Sequence, residues 1–331
     1  MGSTALKVLQ IGKESTFGTS VAATAKFMGL TDLSATPLVT VKQSRYMQGD
    51  FAPSHTSRVT DKRASATTQG DFTYEDMPMI LTAAVKGGVT GTGAGGDKTW
   101  TFPFPLTSNA NVDLRTLEFY DGNQEYEIAS AFVESFTISG SAANDGLVTF
   151  SANWLGRELT KSTMTGALTN RAVETLAVGS MALKIDDFGG TIATTGLTAS
   201  LIDFNFTYNT GIHFKKFSDG DVRPSAIGYG VPSATLTFSL EFNANAITEL
   251  DKYIAGTGRL IELSGTGSVV GAGVKTLKIQ TAGDITSVGN LWGDRDGNTT
   301  LSFTNTMRYD SATFANFAKI IIINGNSANP G

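Results

Sequence analysis

The sequence contains no cysteine. That excludes disulfide frameworks, thiolate catalysis, iron–sulfur clusters and cysteine-ligated zinc. Histidine is nearly as scarce: His55 and His213 are the only two, 158 positions apart, too few for a histidine-rich metal site or proton relay. Charged residues make up 17%, well below the usual ~25%, with 25 basic against 30 acidic side chains and a net charge of −5. A protein that wraps nucleic acid usually shows a dominant basic surface, which this balance does not offer. Long apolar runs are missing too. The strongest is residues 320–323, far short of the ~20 residues a membrane helix needs. Residues 1–10 show no signal-peptide core, and position 6 is Leu where a myristoylation signal wants Ser or Thr. The expectation is a cytosolic product that does not enter a secretion pathway.

What the chain does have is 331 residues, 37 Gly, 27 Ser and 45 Thr, with 40% apolar residues and 20 Phe. That is a Thr-rich β composition with enough apolar mass for a core. Residues 133–140 (VESFTISG) alternate polar and apolar, Asn144-Asp145-Gly146 supplies a turn, and residues 147–154 (LVTFSANW) run back. The pattern predicts a hairpin. Residues 98–104, 201–208, 234–242, 274–279 and 300–307 also read as strands. Helical spacing occurs twice. Residues 74–85 carry Met77, Ile80, Leu81 and Ala84, with Pro78 placed in the first turn; residues 244–255 carry Ile247, Leu250 and Ile254.

These helices expose an internal repeat. With Phe72 laid on Phe242, Met77 falls on Ile247, Ile80 on Leu250, Ala84 on Ile254 and Gly88 on Gly258. Each helix follows a Thr/Ser-rich strand (63–72 and 233–242), and each strand follows a long polar segment with aromatics, Pro and one His (46–62 and 208–232). Downstream lies an Asp-Gly hairpin in both halves, Asp145-Gly146 and Asp296-Gly297, with Phe150 matching Phe303. The division predicted is 1–165 and 172–331, with residues 161–172 as a linker. Loops as long as 43–66 and 208–232 are usually functional or disordered. These hold Arg45, Tyr46, Met47, Phe51, His55, Arg58, Lys62 and Arg63 in the first, and His213, Phe214, Lys215, Lys216, Phe217 and Arg223 in the second. Such a mixture of large apolar and basic groups suits a loop that orders against a partner.

Motifs for chemistry fail on their context. Gly91–Gly96 has the G-x-G-x-x-G spacing but follows a helix and precedes a strand, the reverse of a phosphate cradle. Asp294-x-Asp296-x-Asn298 opens like a calcium loop, yet Thr299 stands where Gly is required and Asn305 where Glu is required. Asp186-Asp187 and Glu125-x-Glu127 have no histidine near them and read as solvated charges. There is no G-x-S-x-G. No catalytic, cofactor or metal residue is predicted.

The opening segment Gly12-Lys13-Glu14-Ser15-Thr16-Phe17-Gly18-Thr19 resembles the start of tail tube (major tail) proteins of long-tailed bacteriophages, where G-x-E-x-[TS]-[YF]-G-T precedes the first strands. The resemblance implies two tandem β-sandwich or barrel domains, each with one short flanking helix and a long inter-strand loop. It implies a structural virion protein, not an enzyme, assembled in the host cytoplasm. Its copies would join into stacked rings that form a hollow tube for DNA, around a tape-measure protein and between terminator and tip proteins. Two domains per chain would make each ring a trimer with pseudo-sixfold symmetry rather than a hexamer. The residues named above in the two loops, with Phe17, would be the inter-ring or inter-subunit contacts. The rival readings are a capsid decoration protein, a secretion-system tube subunit, or a glycan-binding tail protein. The last would want clustered aromatics, whereas Trp100, Trp154 and Trp292 are scattered.

Overall fold

The computed structural model describes residues 4–85, 87, 89–93, 95–104, 112–142, 146–198, 200–295 and 297–326. Gly88, Ala94, Asn144, Asp145 and Asp296 lie outside the described residues, as do the ends of both termini (1–3 and 327–331). The chain is mainly β, built as large antiparallel sheets that do not close into a barrel.

Its first half runs β1 (Val8–Lys13), β2 (Ala25–Lys26), β3 (Leu30–Ser44), β4 (Thr56–Asp71), α1 (Met77–Ala84), β5 (Lys98–Pro103), β6 (Arg115–Tyr120), β7 (Glu125–Ser141), β8 (Thr149–Gly156) and β9 (Glu158–Lys161). The second runs β10 (Met181–Asp187), β11 (Gly196–Leu197), β12 (Leu201–Asn209), β13 (Ile212–Lys215), β14 (Ala226–Tyr229), β15 (Ser233–Glu241), α2 (Ala244–Ile254), β16 (Arg259–Val270), β17 (Gly273–Val288), β18 (Gly293–Arg295), β19 (Asn298–Met307) and β20 (Ala318–Asn324).

The pairings of the first half recur in the second. β1 pairs β2 and β6, as β10 pairs β11 and β16. β4 lies between β3 and β8, as β15 lies between β12 and β19. β7 pairs β6, β8 and β9, as β17 pairs β16, β19 and β20. Two irregularities recur as well. A register shift between Leu30 and Asp32 corresponds to one between Leu201 and Asp203, and a shift between Val133 and Ser135 to one between Ile285 and Ser287. A bulge adds one residue and re-aims the strand, so its position is a specific feature of a sheet. These shifts fix which residues correspond: Gly70 with Leu240, and therefore Phe72 with Phe242. They also correct one match, because Phe150 opposes Gly70 while Leu301 opposes Leu240. Phe150 thus corresponds to Leu301, two residues before Phe303.

The halves share one sheet and one core. β7 pairs β12 along Ser135–Ser141, and β5 pairs β20 along all of its length. The core runs across this seam, with Phe136 5.4 Å from Tyr208 and Phe104 4.1 Å from the same ring, centroid to centroid. Trp100 and Trp154 are buried, and each indole nitrogen donates to a side-chain oxygen, Asn324 and Thr68. Burying a large apolar side chain stabilises by ~1.5–3 kcal/mol. The expected hairpin is present, with Ile138 opposite Phe150.

Three expectations need correction. The segments 43–66 and 208–232 are not loops. β3 and β4 pair out to Ser44↔Thr56, leaving only residues 45–55 as a tip, and β13 pairs β14 beyond the end of β12 and β15. Past Leu38 the first arm has water on both sides, so its sequence loses the apolar alternation that marks a half-buried strand. α2 is turned from its expected face. Ile247 and Ile254 are exposed while Ala246 and Glu249 are buried, because Arg259 draws Glu249 inward through two hydrogen bonds of 2.8 and 2.7 Å. α1, by contrast, is wholly buried. The stretch 161–172 has no regular structure beyond Lys161, yet it is pinned: Thr165 donates to Glu118 from both backbone and hydroxyl, and Arg171 pairs with buried Asp76 at 2.5 Å.

Candidate assembly interface

The segment that carries the opening motif is structural. Glu14 is buried, and its carboxylate accepts from Thr116 Oγ1, Ser130 N and Ser130 Oγ, each at 2.7 Å. Ser130 is the residue of β7 held at φ 50°, and its hydroxyl in turn accepts from Gly18 N at 2.6 Å. A side chain at Gly12 would meet Ala22 O at 2.6 Å, and Gly18 stands at φ 80° against the Arg157 guanidinium. The motif therefore locks the chain after β1 onto β7 at Ser130, where a bulge shifts the register against β6 between Arg115 and Leu117. It also presents Phe17, whose ring meets Phe214 edge-on at 6.4 Å.

Phe214 belongs to the second arm, and that arm lies on the first half. Phe132 takes the other side of Phe214 at 4.9 Å. Beyond β13, Lys216 reaches Asp61 at 2.9 Å and Thr60 O at 2.8 Å. Arg157 holds Asp221 and donates to Pro224 O, both at 3.0 Å, while Arg223 binds Asp221 and Glu158. Lys62 also reaches Glu158, and Arg63 binds Asp61. The Arg223 guanidinium, with backbone support, pulls the Asp221 carboxyl down to about 2. Burial pushes Asp61 upward, but its hydrogen bonds and charge pairing with Lys216 and Arg63 hold it below its ordinary value. So Phe17, Lys62, Arg63, Phe214, Lys216 and Arg223 come together, as contacts within the chain. His213 stays exposed, with Nδ1 3.3 Å from Gly211 O.

The first arm ends in a braced tip. Tyr46 N donates to His55 Nδ1, so the other ring nitrogen carries the proton that meets Asp50 at 3.1 Å. The rings of Tyr46 and His55 stack at 6.0 Å, and Arg45 donates to Asp50 O. This holds Met47 and Phe51 fully in solvent. Arg58 and Lys215 are also exposed, and Phe217 is 59% exposed. Among the described residues, the open strand edges include that of β3, which pairs only β4, and that of β17 beyond Gly283, which pairs only β19. A cavity of about 490 Å³ lies between Tyr229, Val231, Pro232, Met307, Tyr309 and Phe317.

The chemical motifs resolve into turns and pairs. Asp186 accepts from Thr194 and Thr195, Asp187 takes Lys252 and Arg259, and Asp294 accepts from Gly297 N. Glu125 and Glu127 accept from Met164 N and Ser162 Oγ. Residues 4–307 match the family model for phage tail tube protein. The chain belongs to the phage tail tube protein family. It does not match any curated protein. A tail tube protein is a structural component of the virion tail that assembles with its own copies and with other tail proteins. None of the described helices is long and apolar enough to cross a membrane. Sequence reasoning found the arm residues but missed their acidic partners Glu158 and Asp221. For Asp221 the available signal was the two acids, Asp219 and Asp221, set between Lys216 and Arg223.

Proposed function

We propose that this chain builds the wall of the tail tube as a ring of three copies, with residues 1–165 and 172–331 as two tube units apiece. Stacked rings enclose the channel through which double-stranded DNA passes, around a tape-measure protein and between terminator and tip proteins. The subunit performs no catalysis and is assembled in the bacterial cytoplasm. The observation that carries this reading is the seam between the halves. Strand pairing across β7 and β12 joins two units of like connectivity, while equivalent edges remain open at either end of the pair. An open edge invites a further strand, and closing a ring removes it.

Negative-stain electron microscopy over a concentration series, with the mass of the smallest oligomer, tests this reading. Hollow tubes or stacked rings built from trimers are expected. A hexameric ring would retain the tube and refute the two-unit division. A monomer that stays inert when seeded with tail tips would refute both.

A further inference from the structure

The seam inside the chain is a template for the seam between chains. It has two parts. In one, β12 adds to the outer edge of β7, with Asn209 opposite Ser135. In the other, the second arm crosses the seam and lays Lys216 and Arg223 on Asp61 and Glu158 of the first half. The recurring register shifts translate each part. β12 corresponds to β3, and β7 to β17, so Asn209 answers to Leu38 and Ser135 to Ser287. Both translated edges are open. The docking surface translates too. Thr60 and Asp61 answer to Gly230 and Val231, and Glu158 to Tyr309, which are all residues of the 490 Å³ cavity.

The chemistry changes in step. Where the first half offers two carboxylates to the basic second arm, the second half offers Val231, 93% exposed, and Tyr309, 45% exposed. The arm that corresponds to the basic one ends in Met47 and Phe51, both fully exposed. Acidic surface meets basic arm inside the chain, and an apolar cavity stands ready for the tip residues Met47 and Phe51, beside which Arg45 is held on Asp50 O.

We propose that the occupant of these surfaces is a second copy of this chain. β3 of one copy adds to β17 of the next, antiparallel, with Leu38 opposite Ser287, and the tip at Met47 and Phe51 seats in that neighbour's cavity. Pro37 corresponds to Tyr208, and its missing N–H leaves this seam one hydrogen bond short of the internal one. The contact is head-to-tail, so it must close or polymerise. This inference rests on the tube reading and names the surfaces that would close the ring.

The absence of native cysteine makes the test direct. Thr210 N donates to Glu134 O, so the adjacent pair Asn209/Ser135 is the non-hydrogen-bonded kind, with Cα atoms ~4.5 Å apart, within disulfide range. The variant Asn209→Cys/Ser135→Cys should therefore oxidise within one chain, without a change in mass, and serves as the geometric control. Leu38→Cys/Ser287→Cys should oxidise between chains and stop at three. Uncross-linked chains from a sample in which the control pair oxidises would overturn the strand pairing. A ladder running past three would overturn the closed ring. Electron microscopy of the same samples separates the readings, since rings without cross-links would keep the tube and discard this seam. Adding Met47→Asp and Phe51→Asp should lower the cross-linked yield at a given concentration by about tenfold or more, because two large apolar groups lose their burial. An unchanged yield would remove the arm from the seam.

Discussion

Glu14 gathers three donors, and one of them is the backbone N–H of a residue held at positive φ. Removing the carboxylate leaves that N–H buried and unpaired, which costs ~1–3 kcal/mol before the loss of packing. Glu14→Ala should lower unfolding stability by about that amount in a denaturant titration. It should also free the second arm, because Gly18 and Phe17 lose their anchor. Asp221 and Asp61 give a pH signature. Their docked carboxyls titrate below the ordinary 3.8, Asp221 at about 2. A lowered acid constant adds stability above the undocked value and loses it as the pH falls through the docked one. Hydrogen exchange over residues 212–229 should therefore accelerate between about pH 4 and pH 2 ahead of β7 and β12. Uniform exchange across that interval would show that these pairs do not hold the arm.

At the scale of elements, the strands buried on one face were legible in the sequence. Residues 133–140, 147–154, 201–208 and 234–242 alternate because one side packs on Phe136, Phe206, Phe238 and Phe303. The first arm was not, because a ribbon with solvent on both faces has no reason to alternate; only the pairing of Ser44 with Thr56 reveals it. β1 ends on Gly12 and Lys13 of the opening motif, whose Glu14 and Gly18 serve β7 at Ser130 rather than a turn. Helical spacing placed α2 correctly but aimed it wrongly, since a buried Arg259–Glu249 pair outweighs two isoleucines that face solvent. Breaking such a pair by removing one partner typically costs ~3–5 kcal/mol; Glu249→Ala should fall near the lower figure, because Asp187 still reaches Arg259. The first arm makes the opposite prediction. Replacing residues 45–55 by a two-residue Asn-Gly turn should leave the melting temperature almost unchanged and abolish tubes. Normal tubes from that variant would deny the tip any role in assembly.

For the whole molecule, the pairings and bulges of the first half recur in the second, but the likeness is incomplete. β5 lies between α1 and β6, and pairs with β20 of the other half. Between α2 and β16 there is room only for residues 255–258, with no strand. The second half therefore has no counterpart of β5, and Ile247 and Ile254 of α2 meet water. In a ring of three chains this asymmetry would mark every second position around the rim. A partner with six equal feet would find two alternating kinds of socket, whereas one with three would find the same socket each time. The rim would thus act as a keyed coupling, choosing its neighbours along the tail by their rotational order.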